Sequence, residues 1–346
     1  MSAAKRLLKR AAIRWGLEAV ALSRGWRLWP AAGGHGVVFT LHHVRPAAPK
    51  AHDPNALLSV TPEFLDLAIR AALECGLTPV ALEDLPVLLA DPADRRRFVC
   101  FTLDDGYRDN ADHAAPVFRR HGVPYTIFIT EGFVERTRSL WWETAEALTE
   151  TADRLEFDFG GGVETLPMAT PAEKQVAFDR IGDFIQSGDE DAAVARLDEA
   201  ARAHGIDPLG ITDRLVMGDG ELAALASADP LARFGAHTLT HVALRRVDAA
   251  RLRAEIEGSV DAVASYVGRR PTCFAYPYGF PAAVGEREFR AAAEAGLAIA
   301  VTTQPGVLGS WSGQQATAVG RVSLNGLYQE KRYVKALLSG IPFRFM

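Results

Sequence analysis

Three short stretches concentrate the residue types that perform hydrolysis. Phe101-Thr102-Leu103-Asp104-Asp105-Gly106-Tyr107 closes an apolar run with two adjacent carboxylates and a glycine that permits a sharp turn. Adjacent side chains diverge, so one carboxylate can bind a cation while its neighbour faces a water. Gly235-Ala236-His237-Thr238-Leu239-Thr240-His241 supplies two imidazoles four residues apart, and a helix starting there would place both on one face. Neutral imidazole is a common zinc ligand. Joined with Asp105, His237 and His241 give three nitrogen and oxygen ligands and an open position, as a catalytic rather than structural zinc requires. Phe274-Ala275-Tyr276-Pro277-Tyr278-Gly279 closes a third run, where Pro277 and Gly279 fix a turn able to aim a backbone N–H into the same mouth. Each stretch also has an ordinary structural use, as a helix cap, a surface histidine pair or a strand-ending turn.

What positions these residues is an alternation of apolar runs and helical patterns. Strands are expected over 37–41, 78–82, 98–103, 125–129, 233–236, 272–276 and 297–302, with helices over 62–75, 84–90, 110–121, 249–267 and 286–295. Such alternation means parallel β/α units with right-handed crossovers, whose chemistry gathers at the carboxyl ends of the strands. Between 139 and 214 the strand signal fades into charged, helix-rich sequence broken at Gly160-Gly161-Gly162 and Ser187-Gly188. The expected organisation is therefore a basic amphipathic segment over 1–30, an α/β barrel built from 31–138 and 215–346, and a helical insertion over 139–214. Trp141 and Trp142, at the edge of that insertion, are candidates for stacking on a substrate or for core packing.

Together the motifs resemble those of the polysaccharide deacetylase family, carbohydrate esterase family 4, from about Val37 to Ser323 outside the insertion. Thr102-Leu103-Asp104-Asp105-Gly106 resembles the family's Thr-Phe-Asp-Asp-Gly, and His237-Thr238-Leu239-Thr240-His241 its His-Ser/Thr-x-x-His, in the same order. The resemblance implies a distorted (β/α) barrel of about seven parallel strands. It also implies a divalent metal, zinc, on Asp105, His237 and His241, with Asp104 as general base. Tyr278, Pro277 and Tyr107 are the implied oxyanion and substrate contacts. Three departures stand out. Ala275 takes the place of the arginine in the family's Arg-Pro-Pro-Tyr motif, so a charge steadying the base must come from elsewhere, with Arg321 and Arg270 as candidates. No Asp-Trp motif is present, and no histidine follows His241. Leu41-His42-His43-Val44 resembles the Tyr-His-Arg-Val of branches with a rearranged motif order, which implies His43 as the general acid.

Composition narrows the partners. The 346 residues are 48% hydrophobic and 23% charged with net charge −5, as in a soluble globular protein and unlike a nucleic-acid binder. Cys75, Cys100 and Cys273 are odd in number and lie in apolar stretches, so free buried thiols are expected, compatible with a reducing compartment. Lys5, Arg6, Lys9, Arg10, Arg14, Arg24 and Arg27 face one acid, Glu18, in the first 30 residues. Arg10 and Arg14 interrupt any apolar core of a secretory signal, so a cytoplasmic location is expected. Leu8, Ala12, Trp15, Ala19 and Leu22 recur at helical spacing beside the basic residues. A helix over 5–27 would either pack on the domain or lie peripherally on an anionic membrane face.

The expected activity is removal of N-acetyl groups from a polysaccharide or oligosaccharide, including a lipid-linked one. Two competitors share the residues: an O-acyl esterase or other amide hydrolase on the same site, and a carbohydrate-binding or assembly protein with a degraded site.

Overall fold

The computed structural model describes residues 3–23, 29–48, 50–309 and 315–345. Its strands are β1 (Gly36–Leu41), β2 (His43–Val44), β3 (Ser59–Val60), β4 (Leu77–Pro79), β5 (Arg97–Leu103), β6 (Tyr125–Ile129), β7 (Arg154–Asp158), β8 (Val163–Pro167), β9 (Ala232–Ala236), β10 (Cys273–Ala275), β11 (Ile299–Val301) and β12 (Val322–Ser323). The main sheet runs β11-β10-β9-β6-β5-β1-β12, parallel throughout, and β4 adds to the start of β5. This is the distorted (β/α) barrel expected from the sequence, curled so that its two edges nearly meet. The segment 319–323 laces them together. Val319 exchanges backbone hydrogen bonds with Ala300 and Thr302 beside β11, and β12 then pairs with Phe39 and Thr40 of β1.

Alternation along the strands sorts side chains into two layers. Phe39, Leu41, Val99, Phe101, Leu103, Ile127 and Ile129 face outward into a core shared with the surrounding helices. Val38, Phe98, Cys100, Phe128, Cys273, Ala275, Ile299 and Val301 fill the barrel interior. Gly235 on β9 exists for that interior: a Cβ there would lie 2.4 Å from the Phe128 ring. Cys75, Cys100 and Cys273 are free thiols, the last two buried and Cys75 partly so.

The stretch after Ser139 carries helices Trp141–Thr151, Pro171–Ile185, Glu190–Ala203 and Pro208–Leu215. It also holds an antiparallel hairpin, β7–β8, turned at Gly160-Gly161-Gly162, which the helix-rich composition of the stretch does not reveal. These elements have their own apolar centre, in which Trp141, Trp142, Leu148, Leu155, Ile181 and Leu197 are buried, and Tyr107 and Phe133 of the barrel join it. The N-terminal helix Ala3–Ser23 packs on helix Lys331–Leu338 through Leu17, Ile13 and Val20. Arg24 and Arg27 lie outside the described residues. Among the described residues no helix is long and apolar enough to cross a membrane.

Candidate metal and catalytic site

Strand β5 delivers both carboxylates by simple alternation. Thr102 points into the barrel, Leu103 outward, and Asp104 inward again, where Arg321 meets it. The chain then turns through two left-handed residues, Asp105 (φ 72°) and Gly106 (φ 67°), which swings the Asp105 side chain across the mouth. A side chain at Gly106 would carry its Cβ to 2.9 Å from Ile129 and would sit in a backbone region that disfavours it.

His237 and His241 do converge with Asp105, but not on a helix. The segment following β9 is a loop in which Thr238 (φ 65°) and His241 (φ 58°) are left-handed, and the nearest helical turn begins only at Leu244. The fold around the loop fixes it. Glu255 accepts from the Leu239 and Thr240 N–H groups at 2.9 and 3.0 Å, and Thr238 Oγ1 accepts from the His241 N–H at 2.8 Å. Asp105 Oδ1 lies 3.6 Å from His237 Nε2 and 3.4 Å from His241 Nε2. One ligand atom from each of the three residues falls within 4.8 Å of the other two, and all three residues are buried.

Whether this set suits a cation can be judged from its own chemistry. Asp105 Oδ1 is buried and has no hydrogen-bond partner, a costly state for a carboxylate oxygen that a cation would relieve. Burial, reinforced by the charge of Asp104, pushes the Asp105 carboxyl well above the usual carboxylate range. Burial also lowers both imidazoles, and for His241 the neighbouring His237 adds to it, so both are neutral and can ligate. His237 Nδ1 donates to the Ala275 carbonyl at 2.7 Å, which leaves the Nε2 lone pair facing Asp105. The donor set fits a divalent ion.

Asp104 is 2% exposed and bound by Arg321 through two parallel hydrogen bonds of 2.6 and 2.7 Å. Burial alone would raise its carboxyl, but the Arg321 guanidinium outweighs that and holds it well below the usual range. Arg321 comes from the lacing segment 319–323, is itself fully buried, and is anchored on the Thr302 carbonyl. It supplies the charge that Ala275 cannot. Ala275 instead faces the barrel interior, and Arg270 is on the surface, paired with Asp261.

The sequence expectation for the acid needs correction. His43 points away from the mouth, fully buried, with Nδ1 2.5 Å from Asp109, Nε2 3.4 Å from Glu143 and its ring centroid 3.6 Å from that of Tyr107 at a 34° tilt. His42 is the residue in the mouth, 4.0 Å from Asp104 and 24% exposed. The reason is again alternation: Val38 and Thr40 face inward on β1, so His42 follows them and His43 turns out. Burial, aided by the nearby Arg321 charge, prevails over the raising effect of Asp104 and lowers His42 to about 4. Burial alone would lower His43 too, but its hydrogen bonds to Asp109 and Glu143 prevail and raise it.

Tyr107 and Pro277 are likewise structural. Tyr107 is buried against His43 and accepts from Trp142 Nε1 at 2.8 Å; Pro277 is buried and accepts from the Gly279 N–H. Tyr278, left-handed at φ 61°, does line the pocket. Its hydroxyl accepts from Trp141 Nε1 and donates to Glu190, which also accepts from the Ala243 N–H beside the histidine loop. Thus Glu190, which no sequence motif singled out, ties the helical stretch to the Tyr278 loop and the histidine loop. Burial raises its carboxyl despite these donors.

The mouth opens into a cavity of about 360 Å³. Asp104, Asp105, His42, His237 and His241 form its floor, and Leu57, Trp141, Trp142, Phe178 and Phe280 line its walls. Both tryptophans therefore serve the core and the pocket wall together.

Comparison with known proteins decides the lineage. The polysaccharide deacetylase family model matches residues 91–155 and 209–300, which contain the Asp-Asp and His-His loops and leave out most of the helical stretch. The chain belongs to the polysaccharide deacetylase family. It is accordingly a hydrolase of the deacetylase type. No curated protein matches it by sequence. Among solved structures it is similar to the Streptococcus pyogenes deacetylase PplD, crystallised with acetate, at 15% identity and TM-score 0.50, over 84% of this chain and 93% of that one. It is also similar to the polysaccharide deacetylase BC0361 of Bacillus cereus at 13% identity and TM-score 0.54, over 87% of this chain and 68% of that one. These likenesses are of fold.

Proposed function

We propose that this deacetylase is a metal-dependent hydrolase that removes N-acetyl groups from a polysaccharide or oligosaccharide. One observation carries the reading: Asp105, with an unpartnered buried oxygen, and two neutral imidazoles converge beside a second carboxylate locked by Arg321. Asp105, His237 and His241 would hold the ion, with zinc favoured by a donor set of two nitrogens and one oxygen. When bound, such an ion polarises a carbonyl oxygen and lowers the pKa of water from 15.7 toward about 7.

The rest falls to the protein. Asp104 is kept ionised by Arg321 and accepts a proton from the attacking water. Arg321 makes it a weak base, so its contribution lies in being charged, dry and fixed in place. The N–H of Tyr278, held by the Trp141–Tyr278–Glu190 chain, is the proposed donor to the oxygen that gains charge. Loss of one such donor commonly costs ~10²–10³ in rate. His42 hands a proton to the departing amine, which leaves poorly as an anion. Because His42 is neutral at rest, that proton reaches it during turnover, and Asp104, 4.0 Å away, is the source. The aromatic walls of the pocket suit the apolar faces of sugar rings.

Acetate release is the test, measured on N-acetylglucosamine oligomers against acetylated xylan, with metal content determined on the same preparation. Stoichiometric divalent metal, with release from the N-acetylated oligomers that chelation abolishes, is expected. Turnover confined to the O-acetylated substrate would replace the amide reading with the esterase one, and full activity after metal removal would end the metal reading.

A further inference from the structure

Helix Ala3–Ser23 has two apolar stripes, and the fold uses one of them. Ile13, Leu17 and Val20 pack on helix Lys331–Leu338 and Tyr328. The stripe that recurs at 8, 12, 15, 19 and 22 lies on the opposite side, and Leu8, Trp15 and Leu22 are 70, 75 and 80% exposed. Three large apolar side chains aligned along four turns of one helix are not scattered surface residues. The charge around them has one sign. Arg10 and Arg14 are exposed, and no acid pairs with either among the described residues. The helix's single acid, Glu18, is turned to the protein, where Arg332 and Tyr333 bind it. Seven basic residues against one acid in the first 30 mean that the rest of a chain of net charge −5 carries −11. An apolar face on a cationic helix of an otherwise acidic protein complements a surface that is anionic and has an apolar interior.

We propose that this face docks the enzyme on an anionic lipid bilayer, with Leu8, Trp15 and Leu22 entering the headgroup region and Arg10 and Arg14 engaging lipid phosphates. The inward face of the same helix lies toward the catalytic pocket. An apolar cleft beneath the helix, of about 390 Å³, shares Ser323 with the pocket that holds Asp104 and His42. If the deacetylase reading above holds, the substrate so favoured is a glycan borne on the membrane surface.

The test uses the full-length protein and sedimentation with vesicles of phosphatidylcholine alone or with 30% phosphatidylglycerol. Binding to the anionic vesicles only, weakened by salt, is expected. Arg10→Gln/Arg14→Gln should weaken it about thirtyfold, from roughly 1 kcal/mol per basic residue near an anionic surface. Leu8→Ala/Trp15→Ala/Leu22→Ala should abolish it. These side chains make no core contact, so acetate release from soluble oligomers should be unchanged in all variants, which separates failure of docking from failure of the catalytic reading. Equal binding to both vesicle types, wild-type binding by either variant, or a wild-type dimer dissolved by the triple substitution without vesicle binding would each overturn the proposal.

Discussion

Replacing Arg321 by methionine should destabilise the protein in a way that reports its partner's charge. Asp104 keeps its negative charge in a site where its side chain is 3% exposed, because Arg321 donates to both carboxylate oxygens at 2.6 and 2.7 Å. Without Arg321, its remaining protein donor is Thr40 Oγ1 at 3.4 Å, a long hydrogen bond. Breaking a buried pair from one side typically costs about 3–5 kcal/mol. The pH dependence gives the sharper signature. In the wild type the carboxyl is depressed below its unfolded value, so its stabilisation is complete above about pH 4 and is lost only as pH falls through the folded pKa. In Arg321→Met burial prevails and raises the carboxyl instead. The penalty therefore grows as pH rises from about 4 toward the raised folded value.

Urea unfolding in the presence of a chelator, from pH 4.5 to 8, measures the difference directly and removes the contribution of a bound ion. The stability gap between wild type and Arg321→Met should be about 3–5 kcal/mol at pH 8 and should narrow on acidification. Asp104→Asn/Arg321→Met should recover much of the loss, since no charge remains buried. A gap below about 1 kcal/mol, a gap independent of pH, or additive losses in the double variant would refute the assignment of Arg321 as the group that holds Asp104 ionised.

His42→Ala should lower kcat for acetate release by about 10²–10⁴ with little change in urea midpoint, whereas His43→Gln should lower the midpoint and keep a larger share of the activity. Because the folded-state pKa of His43 is raised, its stabilisation is full below about pH 6.5 and is lost as pH rises through the folded value. The stability difference between wild type and His43→Gln should therefore shrink between pH 6 and 9 in chelator. Glu190→Ala should reduce kcat roughly tenfold to a hundredfold more than KM changes, with Glu190→Gln, which can still accept from Ala243 N–H, restoring most of it; equal rates in all three forms would leave Glu190 a merely structural residue.

The barrel was legible because its strands are buried on both faces and read as apolar runs of the right length. Phe98 to Leu103, Tyr125 to Ile129 and Ala249 to Val267 appear in the structure within a residue of expectation. β12, two residues long, has no periodicity to detect, although it positions Arg321. The hairpin β7–β8 eluded the sequence because β8 is mostly exposed and has little apolar alternation. Motif resemblance points to His43, whereas alternation from Val38 and Thr40 places His42 in the barrel. The helix that a spacing of four would permit at His237 does not form. Spacing of four is helical only where the backbone is, and left-handed Thr238 with the Glu255 carboxylate closing the loop achieves the same convergence without a helix.

That convergence is held by strain, and the location of the strain is informative. Five non-glycine residues among those described have positive φ, and four of them, Asp105, Thr238, His241 and Tyr278, belong to the three chemical loops. Each left-handed residue costs of order 1–2 kcal/mol, so four together represent a sizeable fraction of the stability of an ordinary domain. Asp and His tolerate this region better than most residues, but local sequence gives no reason for it at β-branched Thr238 or at Tyr278. The surrounding contacts impose it: Thr238 Oγ1 on the His241 N–H, Glu255 on the loop amides, and Trp141 and Glu190 on the Tyr278 hydroxyl. A strand end that merely turned could use glycine and relax. Here the backbone is bent where bending brings Asp105 to His237 and His241, and the helical stretch and the long helix Ala249–Val267 are recruited to hold it. The strain is thus explained by what it assembles, one oxygen and two nitrogens within 4.8 Å of one another beside a carboxylate that Arg321 binds.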